Sequence, residues 1–162
     1  MGEWQAVILA AGKGSRMGGD QPKVLRPICG VPMIRLVSDV IREAGIIDTV
    51  VVVPDGHESI RAVLPKDARF AIQRSRLGTG DAVLHSLSQI DGDANDHIVV
   101  LNADVPLLKS STIRSLMEMH TSSQAVMSLL TANGDFSDSL GSISRGDEGR
   151  VVSIVEGERF SE

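Results

Sequence analysis

The chain has 162 residues, of which 42% are apolar and 23% charged, with a formal charge of −5; this is the composition of an ordinary globular domain long enough to bury a core. The acidic balance argues against non-specific binding to nucleic acid or a membrane surface as the main activity. Aromatic residues make up 2% of the chain, so no stacking surface for nucleic-acid bases is visible.

In chain order, Gln5–Ala10 is a continuous apolar run, as a strand buried on both faces would be. Pro32–Ala44 places Ile34, Val37 and Ile41 at spacings of three and four, begins near a proline and stops before Gly45, which predicts a helix. Thr49–Pro54 (TVVVVP) and the shorter Phe70–Gln73 predict two further buried strands. Thr79–Ile90 predicts a helix on Ala82, Val83 and Leu87. His97–Asn102 (HIVVLN) repeats the strand pattern, and Ser110–His120 follows as a helix behind a Ser-Ser-Thr cap cluster. Ala125–Leu130 is a further strand candidate; a polar loop spans 133–149, and Val151–Val155 is a last strand. Strand and helix alternate, so the expected fold is α/β, a mostly parallel sheet with helices on both faces in a single domain spanning 1–162.

In such a sheet ligands bind at the carboxyl ends of the strands. The glycine-rich stretch LAAGKGSRMGGDQPK (9–23) leaves the first strand there, Gln73 ends the third, and Asp104 follows His97–Asn102. Two familiar phosphate loops fail against these letters. The NTPase loop needs Lys followed by Ser or Thr, but Lys13 is followed by Gly14. The dinucleotide fingerprint needs a third glycine where Met17 stands, and no strand ending in Asp or Glu supplies its ribose ligand. The physical content survives: Gly12 and Gly14 allow backbone amides close to a polyphosphate, and Arg16 and Lys23 add positive charge. A plain strand-to-helix turn with solvated Lys and Arg would use the same letters. Asp104, after an apolar run and before Pro106, is costly to place at a sheet edge without a cation or a turn to cap, and Asn102 faces the same mouth.

Leu9, Gly12, Gly14, Ser15, Met17, Pro22 and Lys23 together resemble the signature of nucleoside-triphosphate:sugar-1-phosphate nucleotidyltransferases. PKVLRPICGVPMI (22–34), QRSRLGTGDAV (73–83) and VLNADVPLL (100–108) extend the likeness across most of the chain. Within that group they resemble the uridyltransferase domain of the bacterial bifunctional N-acetylglucosamine-1-phosphate uridyltransferase. The resemblance implies a three-layer α/β/α Rossmann-like fold, that of the nucleotide-diphospho-sugar transferases. It implies transfer of a uridylyl group from UTP to N-acetylglucosamine-1-phosphate, with Mg²⁺ as cofactor, in cell-wall precursor synthesis. Residue by residue, it implies that Leu9, Ala10, Ala11 and Gly12 hold the nucleoside through backbone amides, that Arg16 and Lys23 are the catalytic charges on the phosphates, and that Gln73, Gly78 and Thr79 read the uracil edge. It also makes Asp104 the metal ligand.

On the sugar side the family has Tyr-Gly-Arg-Ile, whereas this chain has Leu140-Gly141-Ser142-Ile143. Gly141 and Glu156 remain as the implied sugar contacts, and the sugar itself is left open. The family's later sugar contact, second metal ligand and acetyltransferase part fall beyond Glu162, so a truncated chain is expected. A sister enzyme with another nucleotide or sugar, and a nucleotide-binding accessory chain without catalysis, stay as alternatives. The implied partners are a nucleoside triphosphate and a sugar-1-phosphate, with neither nucleic acid nor membrane, and with room for a homo-oligomer at full length. The Met1-Gly2-Glu3-Trp4 start has no signal-like pattern, no apolar stretch reaches the roughly 18 residues of a membrane span, and Cys29 is the lone cysteine, which together point to the cytoplasm.

Overall fold

A computed structural model describes residues 3–12, 21–75, 77–90, 92, 96–132, 141–147 and 149–155. Its strands are β1 (Trp4–Leu9), β2 (Pro27–Ile28), β3 (Val31–Pro32), β4 (Thr49–Val53), β5 (Arg69–Ile72), β6 (His97–Asn102), β7 (Ser142–Arg145) and β8 (Val151–Val155). Its helices are α1 (Met33–Glu43), α2 (Glu58–Arg61), α3 (Thr79–Leu87) and α4 (Ser110–Ser123), with a 3₁₀ turn at Lys23–Leu25. The chain divides into two compact units, Met1–Met127 and Ser128–Glu162.

The first unit is built on four parallel strands in the order β5-β4-β1-β6. β4 shows why continuous apolar runs become the centre of such a sheet. Val51 and Val53 turn to one face, where they meet Ala6, Ile8, the α1 stripe Ile34, Val37 and Ile41, and Ile60 and Ile113 from α2 and α4. Val50 and Val52 turn to the other face, with Val7, Ala71 and Ala82 of α3. All five residues of β4 are buried, as period-two alternation requires of a strand covered on both sides. The expected α/β/α layering follows.

Helix α1 ends where the glycine signal places it. Gly45 takes φ +98, its amide donates to the Arg42 carbonyl, and the Ile46 amide reaches back to the Ile41 carbonyl, with both isoleucines fully buried. This is a Schellman closure, whose left-handed position suits glycine. At the same, amino-terminal end of the parallel strands, the Trp4 ring lies 4.7 Å from that of His97 and 5.7 Å from that of His120, which ties the last turn of α4 to the sheet.

Four local readings differ from the structure. The Ser110-Ser111-Thr112 cluster lies within α4 rather than capping it, since the N-cap is Lys109 and no side chain caps the helix. Ala125–Leu130 forms no strand: α4 runs on to Ser123, Gln124 adopts φ 50, and Val126 is wholly exposed with no described strand beside it. β propensity is expressed only where a neighbouring edge accepts the ladder. Helix α3 turns inward not Leu87 but Ala82 and Ser86, one turn apart, while Leu84 and Leu87 are exposed. Small residues let the helix lie close over Val7, Val50 and Val52. Finally, the polar stretch after residue 133 contains β7, which pairs antiparallel with β8 in the second unit. The short β2–β3 hairpin and α2 carry too few residues for a periodic signal.

From β1 the chain steps outward to β4 and β5, then returns to the opposite side of β1 as β6. That reversal leaves a switch point between β1 and β6, where the connections at the strand ends part and open a crevice. Among the described residues no helix is long and apolar enough to cross a membrane.

Candidate functional site

A cavity of about 620 Å³ opens at this switch point. Leu9, Ala10, Ala11 and Gly12 reach it from the end of β1, and Lys23 from the start of the 3₁₀ turn. Gln73 follows β5, Gly78 and Thr79 begin α3, Asn102 ends β6 and Asp104 stands two residues beyond. The structure thus brings every described residue singled out on the nucleotide and metal side to the wall of one cavity. Gly14, Arg16 and Glu156 lie outside the described residues. Gly141 is exposed, directly ahead of β7 in the second unit.

The strand end is partly spent on holding the sheet together. The Ala10 amide donates to the Val52 carbonyl, and the Leu9 carbonyl accepts from the Ala103 amide. Ala10 therefore offers the cavity its small side chain rather than a free donor, and Ala10 and Ala11 are themselves buried. Gly12 differs: a Cβ built on it would meet nothing within 4 Å. Packing among the described residues does not demand glycine there.

One end of the cavity carries opposite charges. Lys23 Nζ donates to Asp104 Oδ2 at 2.7 Å, with the side chains 33% and 39% exposed. Among the described lining residues these are the only cation and the only carboxylate. Pro22, at φ −52 and ψ 132, precedes Lys23 at the start of the turn. Ion pairs this exposed contribute about 0–1 kcal/mol, so either side chain can leave the other at little cost.

Around Gln73 no lining residue is charged. Gln73 is 4% exposed, and its Nε2 donates to Gly78 O (3.2 Å) and to Asp81 Oδ2 (2.5 Å). Gly78 is held at φ 108, ψ −178, and its carbonyl also accepts the Ala82 amide in the first turn of α3. A side chain at that φ would be strained. Val24 and Ala82 supply apolar wall between the two ends.

Asp81 is a residue that sequence reasoning misses. Its signal was faint: an acid at the start of a helix, eight positions after a glutamine that ends a strand. Such an acid ordinarily serves the helix dipole, and only the return of α3 against β5 brings it to Gln73.

Asp104 was tested as a metal ligand on its donor chemistry. It already holds a cation, the Lys23 ammonium, and no group of three or more His, Cys, Asp or Glu converges among the described residues. A lone carboxylate fits Mg²⁺, which keeps several waters and takes phosphate oxygens in preference to an all-protein cage; it does not fit zinc held by four protein ligands.

Comparison with known proteins adds to this geometry. Residues 6–148 match the family model of the MobA-like NTP transferase domain. The chain is 41% identical over 151 residues to the bifunctional protein GlmU of Exiguobacterium sibiricum, covering 93% of this chain and 33% of that protein. It therefore spans about a third of the length of such relatives. Among solved structures it resembles HddC from Yersinia pseudotuberculosis complexed with GMP-PN, at TM-score 0.66, 22% identity, and 94% and 68% coverage of the two chains. It also resembles CMP:2-keto-3-deoxy-manno-octonic acid synthetase complexed with CTP, at TM-score 0.68, 17% identity, and 98% and 66% coverage. At these identities the two structures speak for the fold alone.

Proposed function

The chain belongs to the MobA-like NTP transferase domain family, and on that premise we propose that it is the nucleotide-binding part of an Mg²⁺-dependent uridylyltransferase. Its substrates are UTP and N-acetylglucosamine-1-phosphate and its products UDP-N-acetylglucosamine and pyrophosphate, a step in cell-wall precursor synthesis in the cytoplasm. The observation that carries this reading is one cavity that has an uncharged lining at Gln73 and a charged pair at Lys23 and Asp104. The likeness to GlmU supports the choice of nucleotide and sugar.

In the reaction an oxygen of the sugar phosphate attacks the α-phosphorus of UTP, a new P–O bond forms, and the bond to the β-phosphate breaks as pyrophosphate leaves. Such a transfer asks the protein for in-line positioning and cancellation of charge rather than for a covalent intermediate. Lys23 leaves Asp104 and turns its ammonium to the phosphate oxygens, joined by Arg16 of the glycine-rich loop. Asp104, freed of that partner, becomes the carboxylate that holds Mg²⁺. Held by Asp104, Mg²⁺ would supply positive charge to offset that developing on the phosphates. Gly12 gives the triphosphate room to approach the main chain. Gln73, Gly78 and Thr79 orient the base, with the end of β1 and Asn102 lining the space between, while Gly141 and Glu156 serve the sugar.

The test is pyrophosphate release by the full-length protein from each nucleoside triphosphate against a panel of sugar-1-phosphates. Release is expected with UTP and N-acetylglucosamine-1-phosphate in the presence of Mg²⁺. None with that pair, but release with another, selects a sister nucleotidyltransferase, an alternative that the Leu140-Gly141-Ser142-Ile143 element favours. No release with any pair, but retained nucleotide binding, selects the accessory chain.

A further inference from the structure

Gln73 is held in a way that decides which base it can accept. Both groups facing its Nε2, the Gly78 carbonyl and the Asp81 carboxylate, are acceptors. Turning the amide over would set its oxygen against two acceptors, so the orientation is dictated by chemistry. With both N–H bonds committed, Oε1 is the remaining polar atom of an amide whose residue lines the cavity. The Gly78 carbonyl alone would be a weak lock, because it also accepts the Ala82 amide. Asp81, in the first turn of α3 and 21% exposed on its side chain, completes the lock. Its other oxygen lies 3.7 Å from His85 Nδ1, on the following turn.

We propose that Asp81 is a positioning residue that sets base specificity: by fixing the Gln73 amide it makes Oε1 a dedicated acceptor for a ring imino N–H. Uracil carries such a donor at N3, whereas cytosine presents a lone pair at that position, so the two pyrimidines, equal in size, meet attraction and repulsion respectively. A site built around one hydrogen bond rejects the analogue that cannot make it more strongly than shape alone would. The inference rests on the uridylyl-transfer reading and gives it a device outside the residues that touch the base.

The experiment is titration of UTP and CTP into the full-length protein by calorimetry, for the wild type, Asp81→Ala, Asp81→Asn and Asp81→Ser. In Asp81→Ala the Gln73 amide is released and can turn; UTP affinity is expected to fall about tenfold while CTP affinity holds or rises. Asp81→Asn keeps an oxygen that accepts from Nε2 and is expected to retain most of the UTP preference. Asp81→Ser, whose hydroxyl can donate to Oε1, keeps a polar partner near the helix start and is expected to lose the preference as Asp81→Ala does. Equal weakening of both nucleotides in Asp81→Ala and Asp81→Ser would mean that Asp81 only supports α3, and would overturn the proposal, as would an unchanged preference. A wild type that does not prefer UTP to CTP would overturn both this proposal and the uridylyl reading, so the two failures are distinguishable.

Discussion

At one end of the cavity Lys23 and Asp104 hold each other across 2.7 Å with a third or more of each side chain exposed; at the other, Gln73 is 4% exposed and its amide is pinned by two acceptors. The charged end is an exposed ion pair, weak and screened by water, whose members are free to change partners. The base end is preorganised, because unmaking a buried hydrogen bond costs more than making it contributes. The contrast suits a site in which phosphates and a cation arrive with their own strong charges, while a base must be selected by geometry. It teaches that polar residues on one cavity wall need not be equally ready: some are fixed before the ligand enters and others only after.

The largest effect is expected at the charged end. Asp104→Ala and Lys23→Ala should each lower pyrophosphate release about 10²–10³-fold, the scale seen when an electrostatic contact to the transition state is removed. Thermal stability should barely change, because the pair is exposed. Wild-type turnover in either variant would remove that residue from the proposed chemistry; a large drop in melting temperature would break the contrast itself.

At the base end Gln73→Leu should behave in the opposite way. It strands the Asp81 carboxylate beside an apolar group, so it should lower stability by about 1–3 kcal/mol. The apparent affinity for UTP should fall about 30-fold on the same energetic grounds, with turnover at saturation little altered. Urea melts and a split of KM against kcat would check both halves. A variant that loses turnover but keeps KM would place Gln73 in the chemistry instead.

Gly12→Ala is a subtler probe, because its Cβ meets no protein atom within 4 Å. Melting temperature should be unchanged while triphosphate affinity falls about tenfold, a methyl group standing where the ligand's close approach is required. Unchanged affinity would move the triphosphate away from this wall. Smallest of all, raising salt from about 0.05 to 0.5 M should weaken triphosphate binding a few-fold through screening at the charged end. The ratio of UTP to CTP affinity, set at the base end, should stay constant; a ratio that moves with salt would contradict the division.

Much of this architecture was legible in the residues. Val50–Val53 has the pattern of a strand covered on both faces, Gly45 marked the end of α1, and Gln73, Asp104 and the loop leading to Lys23 followed strand ends, where a parallel sheet gathers its ligands. Local patterns were less informative where a partner decides the outcome. Ala125–Leu130 has the composition of a strand but no described edge beside it. Leu87 has the hydrophobicity of a core residue, yet α3 turns inward its small residues Ala82 and Ser86. Asp81 looked like an ordinary helix-start acid.

The order and spacing of the apolar runs determined the parallel α/β sheet and the side of it on which the site lies, because period-two burial and right-handed crossovers leave few other arrangements. The glycine-rich stretch and the segments around Gln73 and Asp104 determined the family it resembles. Only the tertiary structure decided that Lys23 and Asp104, 81 positions apart, neutralise each other, and that Gln73 is locked by Asp81. Both facts depend on the return of distant segments to one switch point, and a hydrogen bond exists only where folding places donor and acceptor within about 3 Å.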